Sequence, residues 1–320
     1  MKKTERLVFF YDLYVVATSR TFDAPRTISV RQAFDLMELV PIPKRQKSSA
    51  KATELLYVAD WARVGNVINI LVNKSDKAIS DPVFTVPQEG KRRTAEKEDE
   101  EGQDFSVHIV VKLPLSDLDP ALVIVEHCTG LGVPFIQRLL NEILRNAKNI
   151  SPELYEQNHP DGALDVNEKP KKINVKFKFE FNGHLSNDLK NDLDSGKIRS
   201  IELITERTKH TVFDGDGYIT EKCKSIVLSM KNTEYQIFDK FDRIMGLLDR
   251  NKNDYSSARI KFKTIEGIDR TVDMQISDCF AEGYVLKAKL EEFNGELSSS
   301  YEKFDDQIIT KMKKLIQPEV

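Results

Sequence analysis

Residues 172–182, KINVKFKFEFN, alternate with a period of two. Val175, Phe177, Phe179 and Phe181 fall on one side, and Lys176, Lys178 and Glu180 fall on the other. Successive side chains of an extended strand point to opposite faces, so this segment can satisfy both sets only as a strand with one buried and one wet face. The pattern recurs. In 258–264, Ile260 and Phe262 are opposed by Arg259, Lys261 and Lys263. In 284–290, if that stretch is a strand, Leu286, Ala288 and Leu290 are opposed by Lys287 and Lys289; Lys222 and Lys224 repeat the spacing beside Ile226 and Leu228. If these strands share a sheet, its solvent face is a cationic surface able to lie along a phosphate backbone. The plainer alternative is that the lysines solvate half-buried strands and guard sheet edges.

The rest of the chain adds helices to such sheets. Residues 5–17 read as a strand, 29–40 as a short helix with Ser29 as N-cap, and 53–74 as two strands broken at Val64-Gly65-Asn66. Strands are expected over 105–113 and 121–127, and an amphipathic helix over 134–149 with Pro134 in its first turn. The polar stretch 76–104, with Lys91, Arg92 and Arg93 followed by an acidic run over 96–101, reads as a long solvated loop. Residues 151–170 hold prolines, a glycine and few core formers, and read as a linker. Beyond it, strands at 172–182, 198–206 and 222–230 and a hairpin over 258–277 alternate with helices at 185–194, 234–250 and 298–316. The expected fold is α+β: an N-terminal domain over 1–150 and a C-terminal domain over 171–320, each a mostly antiparallel sheet with covering helices.

Chemistry is harder to find. The stretch VFDGDGYITEKC, 212–223, resembles an EF-hand loop with Gly217 at its sixth position. Its first and twelfth positions are then Val212 and Cys223, so the leading and the bidentate carboxylates are missing; it is read as an Asp-Gly turn that binds no metal. No cofactor is expected. The five histidines lack metal-ligand spacing, and the three cysteines are too few and scattered for a disulfide framework. CTGLGVPF, 128–135, lacks the last glycine of a dinucleotide loop and the lysine of a P-loop, and reads as a glycine turn from strand to helix. The N-terminal apolar run is interrupted by Asp12, and no run is long enough for a membrane span, so a cytoplasmic location is expected.

A formal net charge of −3 gives no global case for a polyanionic partner, and residues 168–320 carry 27 Lys+Arg against 27 Asp+Glu. Any basic surface must therefore be local. The candidates are Lys176, Lys178, Arg259, Lys261, Lys263, Lys287 and Lys289 on strands, with Lys44, Arg45 and Lys47 in the loop PKRQKSSAK, 43–51. Nearly all are lysines, point charges without the bidentate fork that reads base edges, so sequence-independent binding to double-stranded DNA is the expectation. The competing class is a metal-dependent nuclease, for which Asp214 with Asp216, or Asp305 with Asp306, offers paired carboxylates; neither pair is followed by the E-x-K order such a site usually adds.

The order of elements resembles the Rex exclusion protein A (RexA) family of lambdoid phages. The resemblance rests on ALVIVEHCTGLGVPFIQRLLNEILR (121–145) closing the first half, KINVKFKFEF opening the second, and YEKFDDQIITKMKKLI (301–316) ending the chain. It implies a non-enzymatic, two-domain homodimer that binds DNA without sequence preference. It also implies a role in phage exclusion, antiviral defence or prophage control, a possible membrane-protein partner from the same system, and a fold shared with the recombination-associated RdgC proteins. An apolar stripe of Phe304, Ile308, Ile309, Met312 and Leu315 near the end of the chain is the expected dimer contact.

Overall fold

A computed structural model of the chain describes residues 2–159, 161–162, 164, 168–184, 187–205, 224–230, 239–251, 254–276 and 285–316. The fold is α+β with antiparallel sheets. The chain divides into two compact units, Met1–Phe181 with Ala288–Val320, and Asn182–Lys287.

The first unit begins with β1 (Arg6–Thr18) and α1 (Val30–Glu38). Ser29 caps α1 in a capping box: its Oγ accepts from Gln32 N at 3.2 Å, and the Gln32 side chain accepts from Ser29 N at 3.0 Å. There follow β2 (Gln46–Ser48), β3 (Glu54–Val64) and β4 (Val67–Asp76), the last two turning at Gly65, whose φ of 59° suits glycine. A separate hairpin, β5 (Val83–Val86) with β6 (Lys91–Thr94), precedes β7 (Gln103–Lys112), β8 (Ala121–Glu126) and α2 (Val133–Ala147). The short strands β9 (Glu156–Asn158) and β10 (Lys172–Asn174) pair with each other, and β11 (Lys176–Gly183) follows.

The main sheet runs β11-β1-β8-β7-β4-β3-β2, and β16 (Lys287–Leu290) also pairs with β1. One face carries Leu13, Val58, Ile70, Ile109, Val123 and Phe179 and is covered by Phe34 and Met37 of α1 and Leu139, Leu140 and Ile143 of α2. The opposite face is covered by α5 (Asp306–Ile316) and the segment before it, which lie against β7. Strands β4 and β7 are thus buried on both sides, which explains why they read as apolar runs rather than as clean alternation.

The second unit holds α3 (Asn187–Ser195), β12 (Lys197–Thr205), β13 (Lys224–Leu228), α4 (Lys240–Asn251), β14 (Ser257–Lys263) and β15 (Asp269–Gln275). Its four-stranded sheet runs β13-β12-β14-β15. Ile201, Leu203, Ile260, Phe262 and Val272 pack against Leu189, Leu193, Ile244 and Leu248 of its two helices.

The division differs from the expected one. Residues 151–170 were expected to link two domains, yet Tyr155 is buried in the first core, packs its ring at a tilt against Phe177 and donates its hydroxyl to Leu144 O at 2.5 Å. Burial pushes its phenol up to about 12. Ile173, Val175 and the three phenylalanines of β11 join the same core, so the first unit runs on to Phe181 rather than stopping near 150. Likewise 288–320 belongs to the first unit and not to a C-terminal domain over 171–320. The helix expected over 298–316 begins only at Asp306; the residues before it are spent on bonds to the sheet. Among the described residues no helix is long and apolar enough to cross a membrane.

Candidate nucleic-acid interface

Strand β11 follows its period of two. Phe177, Phe179 and Phe181 are buried, and Lys176, Lys178 and Glu180 are exposed. Burying each phenylalanine contributes about 1.5–3 kcal/mol, whereas the ammonium groups remain hydrated on the other side. Gln137 Nε2 donates to Phe179 O at 2.9 Å, and Asn141 Oδ1 accepts from Phe179 N at 2.7 Å, so α2 fixes the height and rotation of the strand. Lys176 and Lys178 have no carboxylate partner among the described residues.

The basic strands do not share one sheet. β11 and β16 both pair with β1 in the main sheet, whereas β14 lies in the sheet of the second unit. On the outer face of the second sheet, Lys261 stands between Ser200 and Thr271 in register and is exposed. Its neighbours are balanced by acids. Arg259 lies opposite Glu202, 3.8 Å away, and half-buried Lys263 lies opposite Lys197 on one side and Asp269 on the other. The expectation of a continuous lysine face over several strands is therefore corrected to separate short stretches, because cross-strand carboxylates interrupt it.

Three further candidates change character. Arg45 is buried, with Nε donating to Val40 O at 2.7 Å, Nη2 to Glu38 O at 3.1 Å, and the guanidinium 4.5 Å above the Trp61 ring. It fastens the end of α1 to β3 and offers nothing to a phosphate. Lys47 is half-buried and bonded to Glu142 Oε2 at 2.6 Å. Burial raises the Glu142 carboxyl, but hydrogen bonds from Lys47 and Arg145 outweigh it and hold the group below its ordinary range. Lys289 is paired with Glu291 and Glu5, which push its ammonium well above the usual lysine range. Lys44 and Lys287 are exposed without such partners among the described residues.

The segment before α5 carries a buried polar network that no sequence motif announced. Glu126 lies between Arg6 Nε and His108 Nδ1, 2.6 Å from each, and all three side chains are almost wholly buried. The Glu126 carboxylate also accepts from His108 N at 3.0 Å, and His108 Nε2 accepts from Asp305 N at 3.0 Å. Arg6 reaches across to Ser298 O at 2.5 Å. Beside it, Asn73 donates to Asp104 Oδ2 at 3.2 Å and to Tyr301 O at 2.8 Å, Ser300 bonds Asp104, and Ser106 Oγ accepts from Tyr301 N at 2.7 Å. The network lashes 298–305 to the sheet. Asp305 and Asp306 do not form a metal pair: Asp305 Oδ1 caps α5 by accepting from Gln307 N and Ile308 N, each at 3.0 Å.

Other candidates resolve simply. Asp214 and Asp216, with the Asp-Gly turn, lie outside the described residues, as do Lys222 and the start of the helix expected over 234–250. Among the described residues no group of His, Cys, Asp or Glu is placed to hold a metal ion. In the turn after β8, a Cβ on Gly130 would fall 2.4–2.7 Å from carbons of the Phe105 ring, so that glycine is required by packing. The Cys128 thiol is pushed up by burial, against weaker hydrogen bonds from the backbone at Gly130 and Leu131, and is not an activated nucleophile. The apolar stripe of the last helix is occupied: Ile308, Ile309 and Met312 are buried against the chain's own sheet, with Leu315 at its exposed margin. That stripe is therefore not free to form a dimer contact.

The polar stretch 76–104 is not a featureless loop. Val83 pairs with Thr94, Phe84 with Arg93, Thr85 with Arg92 and Val86 with Lys91, and Gly90 turns the hairpin with φ 63°. The alternating Val83-Phe-Thr-Val86 and the PQEG turn were signals for it. Compared with family models, with curated proteins and with solved structures, the chain finds no match in any of the three.

Proposed function

We propose that the chain is a non-enzymatic protein that binds double-stranded DNA through phosphates and without regard to sequence. On the Rex-like resemblance, it acts in phage exclusion or prophage control in the cytoplasm, as a homodimer with a membrane-protein partner. The observation that carries the binding reading is the pair Lys176 and Lys178, exposed beside Glu180 and without an ion-pair partner among the described residues, on a strand whose other side is locked into the core. Lys261, exposed between two hydroxyl residues, is the matching feature of the second unit. Lys44 and Lys287 are auxiliary. Arg45 takes no part, and Lys47, Arg259 and Lys289 contribute only where a phosphate displaces their present carboxylates.

A lysine meets a phosphate as a point charge, so affinity should fall steeply with salt, by about 0.9 in the slope of log affinity per phosphate neutralised. The test is fluorescence anisotropy with two unrelated duplexes at several salt concentrations. It compares wild type with Lys176→Glu/Lys178→Glu and with Lys261→Glu/Lys263→Glu. Equal affinity of wild type for both duplexes, and weaker binding by folded variants, supports the reading. A wild type that binds neither duplex refutes it. A magnesium-dependent nick in plasmid DNA would instead favour a nuclease.

A further inference from the structure

The hairpin β5–β6 is a sheet of two strands with no core of its own. Every residue of Val83–Val86 and Lys91–Thr94 is exposed, on both faces of the ribbon. Phe84 is 54 % exposed and Val83 and Val86 are each 44 % exposed. A lone two-stranded hairpin is marginal in water, and three large apolar side chains held out on one arm mark a surface that acquires a partner.

The charges say which kind. Glu89 is the only acid over 83–94, and it is neutralised within the arm by Lys91 Nζ at 2.6 Å. Arg92 and Arg93 remain. Directly paired residues share a face, so Arg93 projects on the side of Phe84 and Arg92 on the side of Thr85. Each face of the ribbon thus carries one guanidinium. The Arg93 guanidinium lies 5.0 Å over the Phe84 ring, which holds it extended. Of the acidic residues that follow, two carboxylates are engaged locally. Glu100 is bonded to Lys77, the Glu101 carboxylate accepts from Glu98 N at 2.9 Å, and Lys97 ties back to Ile79 O.

We propose that this hairpin is a DNA-binding arm that enters the major groove of a duplex, with Arg92 and Arg93 each reaching the phosphates of one flanking backbone and Phe84 bracing Arg93. The dimensions fit. Four-residue strands project about 13 Å, and a two-stranded ribbon is admitted by a major groove about 12 Å wide and 8.5 Å deep. This assignment rests on the DNA-binding reading and gives it a second contact, separate from the lysine strands.

The test uses the full chain and salt titrations of its affinity for a 20-base-pair duplex and for a single strand. All substituted side chains are exposed, so folding is expected to persist and is checked by circular dichroism. Arg92→Glu/Arg93→Glu should weaken duplex binding at least tenfold and lower the salt slope by about 2, two phosphates at about 0.9 each. Phe84→Ala should weaken duplex binding several-fold at an unchanged slope. Neither variant should alter binding to the single strand, which has no groove. If the hairpin variants bind the duplex like wild type while Lys176→Glu/Lys178→Glu fails to bind, the arm is wrong and the DNA-binding reading stands. If wild type binds no duplex, both fall. Hairpin variants that convert a dimer to a monomer in light scattering, with duplex affinity per protomer unchanged, would make the arm a self-association element and overturn the proposal.

Discussion

Glu126 shows how much a single carboxylate can hold when it is enclosed. It faces a guanidinium and an imidazole at once, and all three side chains are buried. Removing one member of such a group leaves the others charged or unpaired in a low dielectric, at a cost of about 3–5 kcal/mol. We expect Glu126→Gln to lose that much in urea unfolding; a loss below about 1 kcal/mol would mean that the network contributes little. Asp104 behaves differently. Burial raises its carboxyl above the ordinary range, with Ser300, Tyr57 and Asn73 opposing the shift only in part. The folded state therefore binds more protons than the unfolded state between the unfolded pKa of about 4 and the raised folded one, and this group's contribution to stability falls as pH rises through that window. Asp104→Asn keeps the shape and removes the titration, so its stability-versus-pH curve should lie flatter than that of wild type there. Neither residue was legible beforehand. Arg45 marks the same limit: within PKRQK it reads as a solvated loop cation, and only the arrival of Trp61 from β3 makes it a buried brace.

Elements were read more securely than residues where one face alone is buried. β11 and β14 announced themselves because each buried phenylalanine or isoleucine is followed by a polar or charged residue that faces solvent. The end of the chain misled because SSSYEKF has no helix-breaking residue, yet Ser300 and Tyr301 gain more from the sheet's polar groups than from another helical turn. The hairpin over 83–94 was hidden among charges. Gly196, between α3 and β12, gives a prediction at this scale. A Cβ there would lie 2.3 Å from Asp192 O and 2.6 Å from Lys263 O, both backbone atoms that cannot swing aside. Gly196→Ala should therefore destabilise the second unit by about 1–3 kcal/mol, the usual range for overpacking. A thermal melt indistinguishable from wild type would show that the junction relaxes freely.

At the scale of the molecule, the sequence conveyed α+β and two cores but not their boundary. Composition marks where a chain is polar, whereas a boundary depends on which core the few apolar residues join, and Tyr155 and Ile173 join the first. The second unit is an insertion. The chain leaves the first sheet after β11 and re-enters it at β16, both beside β1, and Leu286 N donates to His184 O at 2.8 Å where the two passages meet. We expect a chain in which residues 185–285 are replaced by a short Gly-Ser turn to remain soluble and to unfold cooperatively. A molten or aggregated product would show that the first unit depends on the inserted one.

The insertion also sets an order of events during synthesis. The ribosome delivers seven of the eight strands of the main sheet early, but β16 and α5, which complete and cover it, are made last. Until then Arg6, His108 and Glu126 face an open side, and the nascent sheet has an uncovered surface for the whole time taken to translate the insertion. The inserted unit is continuous in sequence. A message cut short just before residue 288 would thus release a finished guest on an unfinished host.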